Sequence, residues 1–381
     1  MADVVLLILV LVAAAVPLLL LRDLRTVPSG GGRTSGPSVS VVVPARDEEQ
    51  SLPALLAALH ASTVPVAEVV VVDDGSSDRT AAVAVEGGAR VLAAGSPPPG
   101  WTGKAWACHV GAEATTGDLL LFLDADTVLA PDALGGLLEL HEQHGGLVSV
   151  QPHHRVPEAY EQLSAYFNVV ALMSSDAFTG GSSRRPMAFG PCLLTSRRDH
   201  TVAGGHAVVR GEILDDVRLA QAYDRAGLPV ACAVGGAAVA MRSYPGGLGQ
   251  LVSGWTKNIA SGAAAAAPRA SLATVFWISV HHAVAVGALL SVVGAVVGRD
   301  LAAGSALVWA LGWLVTSWQL RGLLRRAGTF RWWTWVLFPV PLLAFDLVFA
   351  RSAVLTVVRR SVRWRGRTVD LREDARAREA G

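Results

Sequence analysis

The feature that most constrains the fold is an apolar strand that runs directly into two carboxylates. Leu119–Leu123 are five apolar residues in a row, and the turn pair Gly117-Asp118 precedes them. This pattern is typical of a strand that is buried on both faces of a mostly parallel sheet. Asp124 and Asp126 follow at its carboxyl end, which is where open α/β sheets bind their ligands.

The spacing of Asp124 and Asp126 indicates a cation site. In an extended segment, residues two apart point the same way, so both carboxylates are predicted to face one spot. No basic residue stands beside them in the sequence to balance their charge. Hard oxygen ligands suit Mg2+ or Mn2+, and a cation held by one or two carboxylates usually takes phosphates as its remaining ligands. The sequence therefore predicts a metal-diphosphate site, with a turn that caps the next helix as the alternative.

Two earlier strands end in acidic turns as well. The apolar runs 39–43 and 68–72 lead into residues 44–49 and 73–78, which are rich in Asp, Glu and turn formers. Helical patterns between the strands cover 52–60, 81–86 and 104–114. Such alternation of strand and helix is typical of a doubly wound α/β domain. Because the carboxyl ends of parallel strands meet at one edge, the acidic turns are predicted to share one cleft.

Another acid pair follows later in the chain. A helix is predicted to begin near Asp215, and its amino end would favour the charged form of Asp215 and Asp216 through the helix dipole. An acid in the cleft can serve as a general base. The alternative is that the pair only caps the helix.

Composition points to a membrane protein rather than a purely soluble one. Of 381 residues, 52% are hydrophobic and only 17% are charged. The net charge of +1 gives no reason to expect nucleic acid as a partner. The three cysteines show no CxxC spacing, which favours reduced thiols in a cytoplasmic domain over a disulfide framework or a zinc site.

The amino-terminal segment is predicted to be an uncleaved membrane anchor. Residues 4–21 are almost wholly apolar and just long enough to cross a bilayer. A signal peptide is the alternative, but the run has no basic residue before it and no small-residue cleavage site after it. Arg22, Arg25 and Arg33 then belong in the cytoplasm. Residues 29–37, rich in Gly and Ser, are predicted to be a flexible tether.

The carboxyl-terminal third is predicted to return to the membrane. Residues 271–297, 301–320 and 333–350 are each long enough to span it. The loop 321–331 carries four arginines and belongs inside, but a third full crossing would then export the basic tail. Pro339 therefore favours a last segment that is broken or re-entrant, with a cytoplasmic tail.

Taken together, these motifs resemble the membrane-attached glycosyltransferases of family two, which have the GT-A fold. The resemblance is to the branch associated with ceramide, carotenoid and hopanoid lipids. The matching pieces, in the family's order, are residues 41–49, 72–76, 100–104, 123–126 and 214–217.

The resemblance implies a role for each matching position. The residues that would line the nucleotide are Pro44, Ala45, Arg46 and Glu48. Asp73 would recognise the base of a uridine-type donor. Lys104 would lie near the diphosphate or the sugar, and Asp124 near the ribose or the sugar. Asp126, together with Asp124, would hold the divalent cation. Asp216 would be the base that takes the proton of an acceptor hydroxyl, and the reaction would invert the anomeric carbon.

Four residues are candidates for the acceptor side. Asp215 neighbours the base, and His206 would orient the acceptor or serve only a structural role. Processive polysaccharide synthases of this family carry a Gln-x-x-Arg-Trp motif, whereas this chain has Gly254 at the arginine position before Trp255. This departure favours a non-processive enzyme. Trp255 and Lys257 are then acceptor-side or diphosphate contacts, or anchors of a helix in the membrane interface.

The sequence thus predicts a GT-A domain (36–245) between an anchor (1–25) and an interfacial segment (246–268). Membrane helices (269–352) and a basic tail (353–381) follow. The predicted function is transfer of a sugar from a nucleotide sugar to a lipid hydroxyl, at the cytoplasmic face of the cell membrane. The alternatives are transfer to a polyprenyl phosphate, for which Arg184, Arg185 and Lys257 are available, a processive synthase, and a non-catalytic membrane scaffold.

Overall fold

The computed structural model describes residues 1–180, 186–212, 214–355, 361–364 and 367–370. The predicted loop residues Arg184 and Arg185 and most of the basic tail lie outside this part of the chain. The helices are α1 (Ala2–Leu20), α2 (Leu52–His60), α3 (Thr80–Glu86), α4 (Gly103–Ala114), α5 (Ala133–His144), α6 (Ala165–Ser174), α7 (Arg197–Val202), α8 (Asp215–Arg225), α9 (Leu248–Ala265), α10 (Pro268–Val297), α11 (Ala306–Ala327), α12 (Trp332–Val336) and α13 (Pro339–Val354). The strands are β1 (Val39–Ala45), β2 (Glu68–Asp73), β3 (Arg90–Ala93), β4 (Leu119–Leu123), β5 (Thr127–Leu129), β6 (Leu147–Gln151), β7 (His153–His154), β8 (Cys192–Ser196), β9 (Val230–Val234), β10 (Val239–Met241), β11 (Ser361–Trp364) and β12 (Arg367–Asp370).

A seven-stranded sheet forms the centre of the α/β part, in the order β3-β2-β1-β4-β8-β6-β9. All neighbouring strands are parallel except at β8, which is antiparallel to both β4 and β6. The predicted mostly parallel α/β fold is thereby confirmed. The chain builds outward from β1 in one direction through β2 and β3, and in the other direction through β4. This reversal between β1 and β4 is the switch point at which open α/β sheets form a ligand crevice.

Helices cover both faces of the sheet because its central strands are apolar on both sides. Val41 and Leu121 pack with α2 and α5 on one face. Val42 and Phe122 pack with α4 and α8 on the other face. Successive residues of a strand point to opposite faces, so a continuous apolar run supplies both cores.

A second core lies among the apolar helices. α1, α6, α10 and α11 pack around large buried side chains, including Trp277, Trp309 and Phe338. The backbone N–H of Ser305, at the start of α11, donates to the Asp3 carboxylate at 2.7 Å, so the amino ends of α1 and α11 lie together. At the opposite end, Gly328 pairs with His154 of the α/β part. One end of the helix bundle therefore lies against the α/β part of the molecule.

Two of the described helices, α1 and α10, are long and apolar enough to cross a membrane. The predicted last span is divided into α12 and α13, as expected from Pro339, which begins α13. With 16 residues, α13 is about 24 Å long, short of the roughly 30 Å of hydrocarbon. The helix predicted at 301–320 begins at Ala306 and continues to Ala327, with arginines in its last turn.

The flexible tether predicted for residues 29–37 is wrong at Gly30 and Arg33, which contact α5. Gly30 lies so close to Gly135 of α5 that a Cβ on Gly30 would stand 2.8 Å from the Gly135 Cα. The Arg33 guanidinium donates two hydrogen bonds to Glu142 of α5, at 2.7 and 2.9 Å. Gly30 is required for close backbone packing, whereas Gly31 and Gly32 have open space around them and a positive φ that favours glycine.

Candidate active site

A cleft opens at the switch point of the sheet and collects side chains from distant parts of the sequence. The residues that line it are Pro44, Lys104, Cys108, Phe122, Leu123, Asp124, Gly190, Leu193, His206, Asp215, Asp216 and Leu219. Six residues predicted from the sequence are thus brought together, from the ends of β1 and β4, from α4, from the 3-10 helix Gly205–Val209 and from the start of α8. Trp255 and Lys257 are not among the lining residues.

The turns after β1 and β2 are joined into one rim. The strands are in register up to their last residues, so that Ala45 pairs with Asp73. Asp47, at φ 55°, accepts hydrogen bonds from the backbone N–H and hydroxyl of Ser77 at 2.7 and 3.0 Å. The Glu48 backbone N–H donates to the Thr80 hydroxyl at 2.7 Å. The predicted nucleotide-contacting residues therefore belong to one preorganised surface.

Asp73 already has partners within its own turn. Its carboxylate accepts hydrogen bonds from the backbone N–H and the hydroxyl of Ser76, at 3.0 and 2.5 Å. The next carboxylate, Asp74, lies 3.7 Å from the Arg46 guanidinium. Both acids at the end of β2 therefore also hold the rim in shape.

Gly103 explains how Lys104 reaches the cleft. A Cβ on Gly103 would stand 2.0 Å from the Asp74 carboxylate, so only glycine allows the turn after β2 to approach the start of α4 this closely. The predicted Gly-Lys turn is the first turn of α4 itself, with Thr102 as its amino-terminal cap. From there the Lys104 Nζ reaches the Asp124 carboxylate at 2.6 Å.

The ion pair between Lys104 and Asp124 corrects the view that no base balances the two acids. Burial would lower the pKa of Lys104, but the carboxylates of Asp124 and Asp215 outweigh burial and raise it. Lys104 is therefore a fixed positive charge at the centre of an acidic cleft, although 41% of its side chain is exposed. A ligand with negative oxygens can compete with Asp124 for this ammonium group.

Asp124 and Asp126 lie in a turn. The extended segment that the sequence predicted for them is wrong, because the strand ends before Asp124. β4 ends at Leu123, and the Thr127 backbone N–H donates to the Asp124 carbonyl at 3.0 Å. Removal from water, and then the carboxylates of Asp124 and Glu48, raise the pKa of Asp126 to about 7. The charged form of the Asp126 carboxylate is therefore disfavoured unless a positive charge binds beside it.

The start of α8 places Asp216 against a backbone loop that precedes β8. Its two carboxylate oxygens accept hydrogen bonds from the backbone N–H of Gly190 at 2.9 Å and of Val217 at 2.8 Å. Burial and the neighbouring Asp215 carboxylate raise the pKa of Asp216 to about 6. Asp215 accepts from the Asp216 backbone N–H at 3.1 Å, and its own pKa is also raised, mainly by burial. Both acids lie in the first turn of α8, whose N-cap residue is Leu214 with no side-chain capping hydrogen bond. The pair therefore lines the cleft and is not the N-cap of the helix.

His206 is held in place by a second histidine. Its Nδ1 lies 3.1 Å from the Nε2 of His200, and its ring lies 4.6 Å from that of Phe122. Burial, followed by the nearby His200 and Lys104, keeps the pKa of His206 well below its usual value. A neutral imidazole held by a hydrogen bond can orient a polar group but supplies no charge.

Trp255 is packed inside the molecule and is not a lipid-facing anchor. It is 8% exposed and stacks on Phe167, with 4.8 Å between the ring centroids. Tyr244 packs edge-on against Trp255, with 5.9 Å between the ring centroids, and its pKa is raised by burial and then by the Asp126 carboxylate. A Cβ on Gly254 would stand 2.3 Å from the Tyr244 ring. The tyrosine ring therefore occupies the space beside the position where processive synthases have arginine.

Comparison with known proteins identifies the family. The model for the family described as glycosyl transferase family 2 matches residues 40–207. The 4,4'-diaponeurosporenoate glycosyltransferase of Staphylococcus haemolyticus (strain JCSC1435) is 33% identical over 342 residues, which cover 88% of this chain and 89% of that relative. The enzyme of the same name from Staphylococcus aureus (strain MRSA252) is 32% identical over 346 residues, with the same coverage.

The chain belongs to glycosyltransferase family 2. Its resemblance to the carotenoid-associated branch is confirmed by these relatives, and the scaffold alternative gives way to an enzyme. Among solved structures, glucosyl-3-phosphoglycerate synthase from Mycobacterium tuberculosis in complex with Mn2+ and UDP-glucose is 26% identical. The match covers 60% of the glycosyltransferase and 79% of that chain, with a TM-score of 0.40. At a TM-score this low the two sites cannot be compared residue by residue. The Mn2+ and UDP-glucose of that complex are therefore attributed to that synthase only.

The acids of the glycosyltransferase fit a divalent cation that is bound partly by carboxylates and partly by the oxygens of a diphosphate. No group of three or more His, Cys, Asp or Glu residues is arranged to hold a metal by itself in the described part of the chain. Asp126, whose pKa is raised by burial and by its neighbours Asp124 and Glu48, would supply one carboxylate ligand and Asp124 a second. Mg2+ and Mn2+ sites of that kind complete their coordination with substrate phosphates.

Sequence reasoning about the glycosyltransferase missed Tyr244, Gly190 and His200. Gly190 contributes a backbone N–H, which leaves no signal in the identity of a side chain. Tyr244 could have been found from its place, because it lies three residues after the end of β10 and precedes the Pro245-Gly246-Gly247 turn into α9. His200 pairs with His206 only through the folding of α7 against the next 3-10 helix.

Proposed function

We propose that the enzyme transfers one sugar from a UDP-sugar to a hydroxyl at the polar end of a carotenoid-like membrane lipid, with inversion at the anomeric carbon. The observation that carries the proposal is the meeting of Lys104, Asp124, Asp215 and Asp216 in one cleft beside Asp126. The names of the relatives support a carotenoid acceptor.

In this proposal, the rim formed after β1 and β2 binds the nucleotide. Pro44, Ala45, Arg46 and Glu48 contact it, and Asp73 recognises the base. Lys104 exchanges its contact with Asp124 for the diphosphate or the sugar, because both offer oxygen acceptors within its reach. The ribose or sugar then lies against Asp124.

Asp216 is the proposed general base. Two backbone N–H groups fix its carboxylate, so the acceptor oxygen can be placed against it without loss of orientation. Deprotonation makes that oxygen a stronger nucleophile towards the anomeric carbon, from the face opposite the diphosphate. His206 and Asp215 position the acceptor.

Asp126, assisted by Asp124, is the proposed ligand of Mg2+ or Mn2+. When bound, the cation would stabilise the negative charge that grows on the departing diphosphate. Residues 36–245 are the proposed catalytic unit, and α9 within 246–268 joins it to the membrane helices. This unit would face the cytoplasm, where nucleotide sugars are made.

A second candidate acceptor group is a carboxylate, because the relatives are named for diaponeurosporenoate, the anion of a carboxylic acid. A carboxylate is already deprotonated at neutral pH, so it does not need a base. Asp216 would then only orient the acceptor.

The proposal is tested by incubating the detergent-purified enzyme with a panel of radiolabelled nucleotide sugars and two matched carotenoids, one ending in a hydroxyl and one in a carboxylate. Label from one UDP-sugar in a single organic-phase product is expected with the hydroxyl carotenoid. Exclusive use of the carboxylate would replace the hydroxyl with the second candidate. Label only in a long polymer, or in a polyprenyl phosphate from added lipid extract, would contradict the proposed function.

A further inference from the structure

A second pocket lies at the end of α11 that meets the catalytic part, and it shares no residue with the cleft. Its lining combines two arginines with three aromatic residues and a leucine: Arg321, Leu324, Arg325, Phe330, Trp332 and Trp335. The Arg321 guanidinium lies 5.2 Å from the ring centre of Trp318 and 5.8 Å from that of Trp335. These aromatic faces hold the cation at the surface without neutralising it.

Among the described residues, no acid forms a salt bridge with Arg321 or Arg325, the arginines of this pocket. Guanidinium groups match phosphate oxygens in shape and charge. The pocket therefore suits a phosphate-bearing ligand with a net negative charge.

One face of α11 continues from this pocket as an exposed apolar stripe. Leu307, Leu311, Leu314 and Trp318 follow each other at intervals of four, three and four residues, so they lie on one side of the helix. Their exposed fractions are 68%, 41%, 65% and 72%. Arg321 and Arg325 continue the same spacing. The stripe from Leu307 to Trp318 is about 16 Å long, close to the roughly 15 Å of one leaflet of hydrocarbon.

We propose that this face binds one anionic phospholipid of the bilayer. Its phosphodiester headgroup lies between Arg321 and Arg325, and one acyl chain runs past Trp318 along the leucine stripe towards Leu307. Trp318 and Trp332 are both exposed beside the arginines, and tryptophan favours the boundary between headgroups and acyl chains, which is where this binding mode would place them. A bulk phosphate ion would explain the arginines but not the apolar stripe that ends at them.

The pocket is also attached to the α/β part by hydrogen bonds. The loop after the pocket is fastened there by the Thr329 backbone N–H, which donates to the His154 carbonyl at 2.9 Å, and by the Thr334 hydroxyl, which donates to Gln162 at 2.6 Å. A lipid in this pocket therefore lies where the membrane helices and the α/β part are joined.

The test measures retention of radiolabelled phosphatidylglycerol by the detergent-purified full chain, with phosphatidylcholine, inorganic phosphate and UDP as competitors. The double variant Arg321→Gln/Arg325→Gln is compared with Arg326→Gln, which removes an exposed arginine of the same helix end that does not line the pocket. We expect the double variant to bind roughly thirtyfold more weakly and Arg326→Gln to bind like the wild type.

Unlabelled phosphatidylglycerol should displace the label, whereas phosphatidylcholine, phosphate and UDP should not. Equal competition by phosphatidylcholine, displacement by phosphate or UDP, or an equal loss in Arg326→Gln would each overturn the proposal. If the double variant does not fold, the single variant Arg325→Gln, at an exposed position, replaces it with the same control. None of these outcomes depends on glycosyl transfer.

Discussion

At the scale of single residues, Asp126 shows how the fold sets the chemistry of one side chain. An exposed aspartate is ionised at neutral pH, but burial and two neighbouring carboxylates make the negative charge of Asp126 costly. A divalent cation removes that cost, so metal and proton compete for the same carboxylate. Lys104 does not resolve the conflict, because it is already paired with Asp124.

Binding of UDP in the presence of Mn2+ should therefore depend on pH around the pKa of Asp126, which is about 7. Below this pH the carboxylate is protonated and must lose its proton before it can hold the cation, so affinity should fall by about tenfold for each pH unit. Isothermal titration at pH 8 and pH 6 measures this. Asp126→Asn, which cannot titrate, serves as the control and should bind weakly at both pH values. Equal wild-type affinity at the two pH values would exclude Asp126 as the ligand.

Asp216 should give the rate its own pH dependence. Its pKa is raised to about 6, so the fraction of active base rises as the pH increases through that value and is lost below it. Because Asp215 is close, the observed value belongs to the pair. With a saturating donor and a hydroxyl acceptor, kcat should fall on the acid side near pH 6. The same measurement with a carboxylate acceptor should lack this limb, and a flat profile with both would leave Asp216 without a role as base.

At the scale of elements, the sequence predicted β1, β2, β4, α2, α3 and α4 to within one or two residues, whereas the helix predicted at 301–320 is displaced to Ala306–Ala327. Buried strands such as β1 and β4 are continuous apolar runs with turn formers at their ends, and those patterns are local. Two of the errors concern glycine, because a sequence uses glycine both where the chain is mobile and where two segments pack closely. Gly30 was assigned to a tether although it packs on α5, and Gly254 was noted only as a missing arginine.

Gly254 gives a test of how α9 is fitted to the cleft. Gly254→Ala places a methyl group within 2.3 Å of the Tyr244 ring, so the ring must move away from its place near Asp126. We expect a loss of about 1–3 kcal/mol in the free energy of unfolding, measured by thermal melting, together with a higher KM for the donor. Gly249→Ala is the matched control in the same helix, because a Cβ there has no neighbour within 4 Å.

For this control the change in stability should stay within about 0.5 kcal/mol and the donor KM should be unchanged. If both alanine variants behave alike, Tyr244 does not link α9 to the donor site.

At the scale of the whole molecule, a cleft at the switch point of the sheet lies in a chain that also carries a bundle of apolar helices. The sequence predicted that acids from separate strand ends would converge, because parallel topology alone brings those ends together. The placement of Tyr244 and the contact between Gly190 and Asp216 could not be predicted, since each depends on segments far apart in sequence. The pair of Lys104 and Asp124 arises in the same way, from α4 packing beside the end of β4.

The most direct test of the whole account separates donor binding from transfer. UDP binding with Mn2+ and transfer to a hydroxyl acceptor are measured on the same preparations of wild type, Asp216→Asn and Asp126→Ala. Asp216→Asn should bind UDP like the wild type while transfer falls by about 10²–10⁴-fold, because only the base is lost. Asp126→Ala should lose both. Wild-type turnover by Asp216→Asn, or wild-type UDP affinity in Asp126→Ala, would contradict the assignment of these two acids to base and metal.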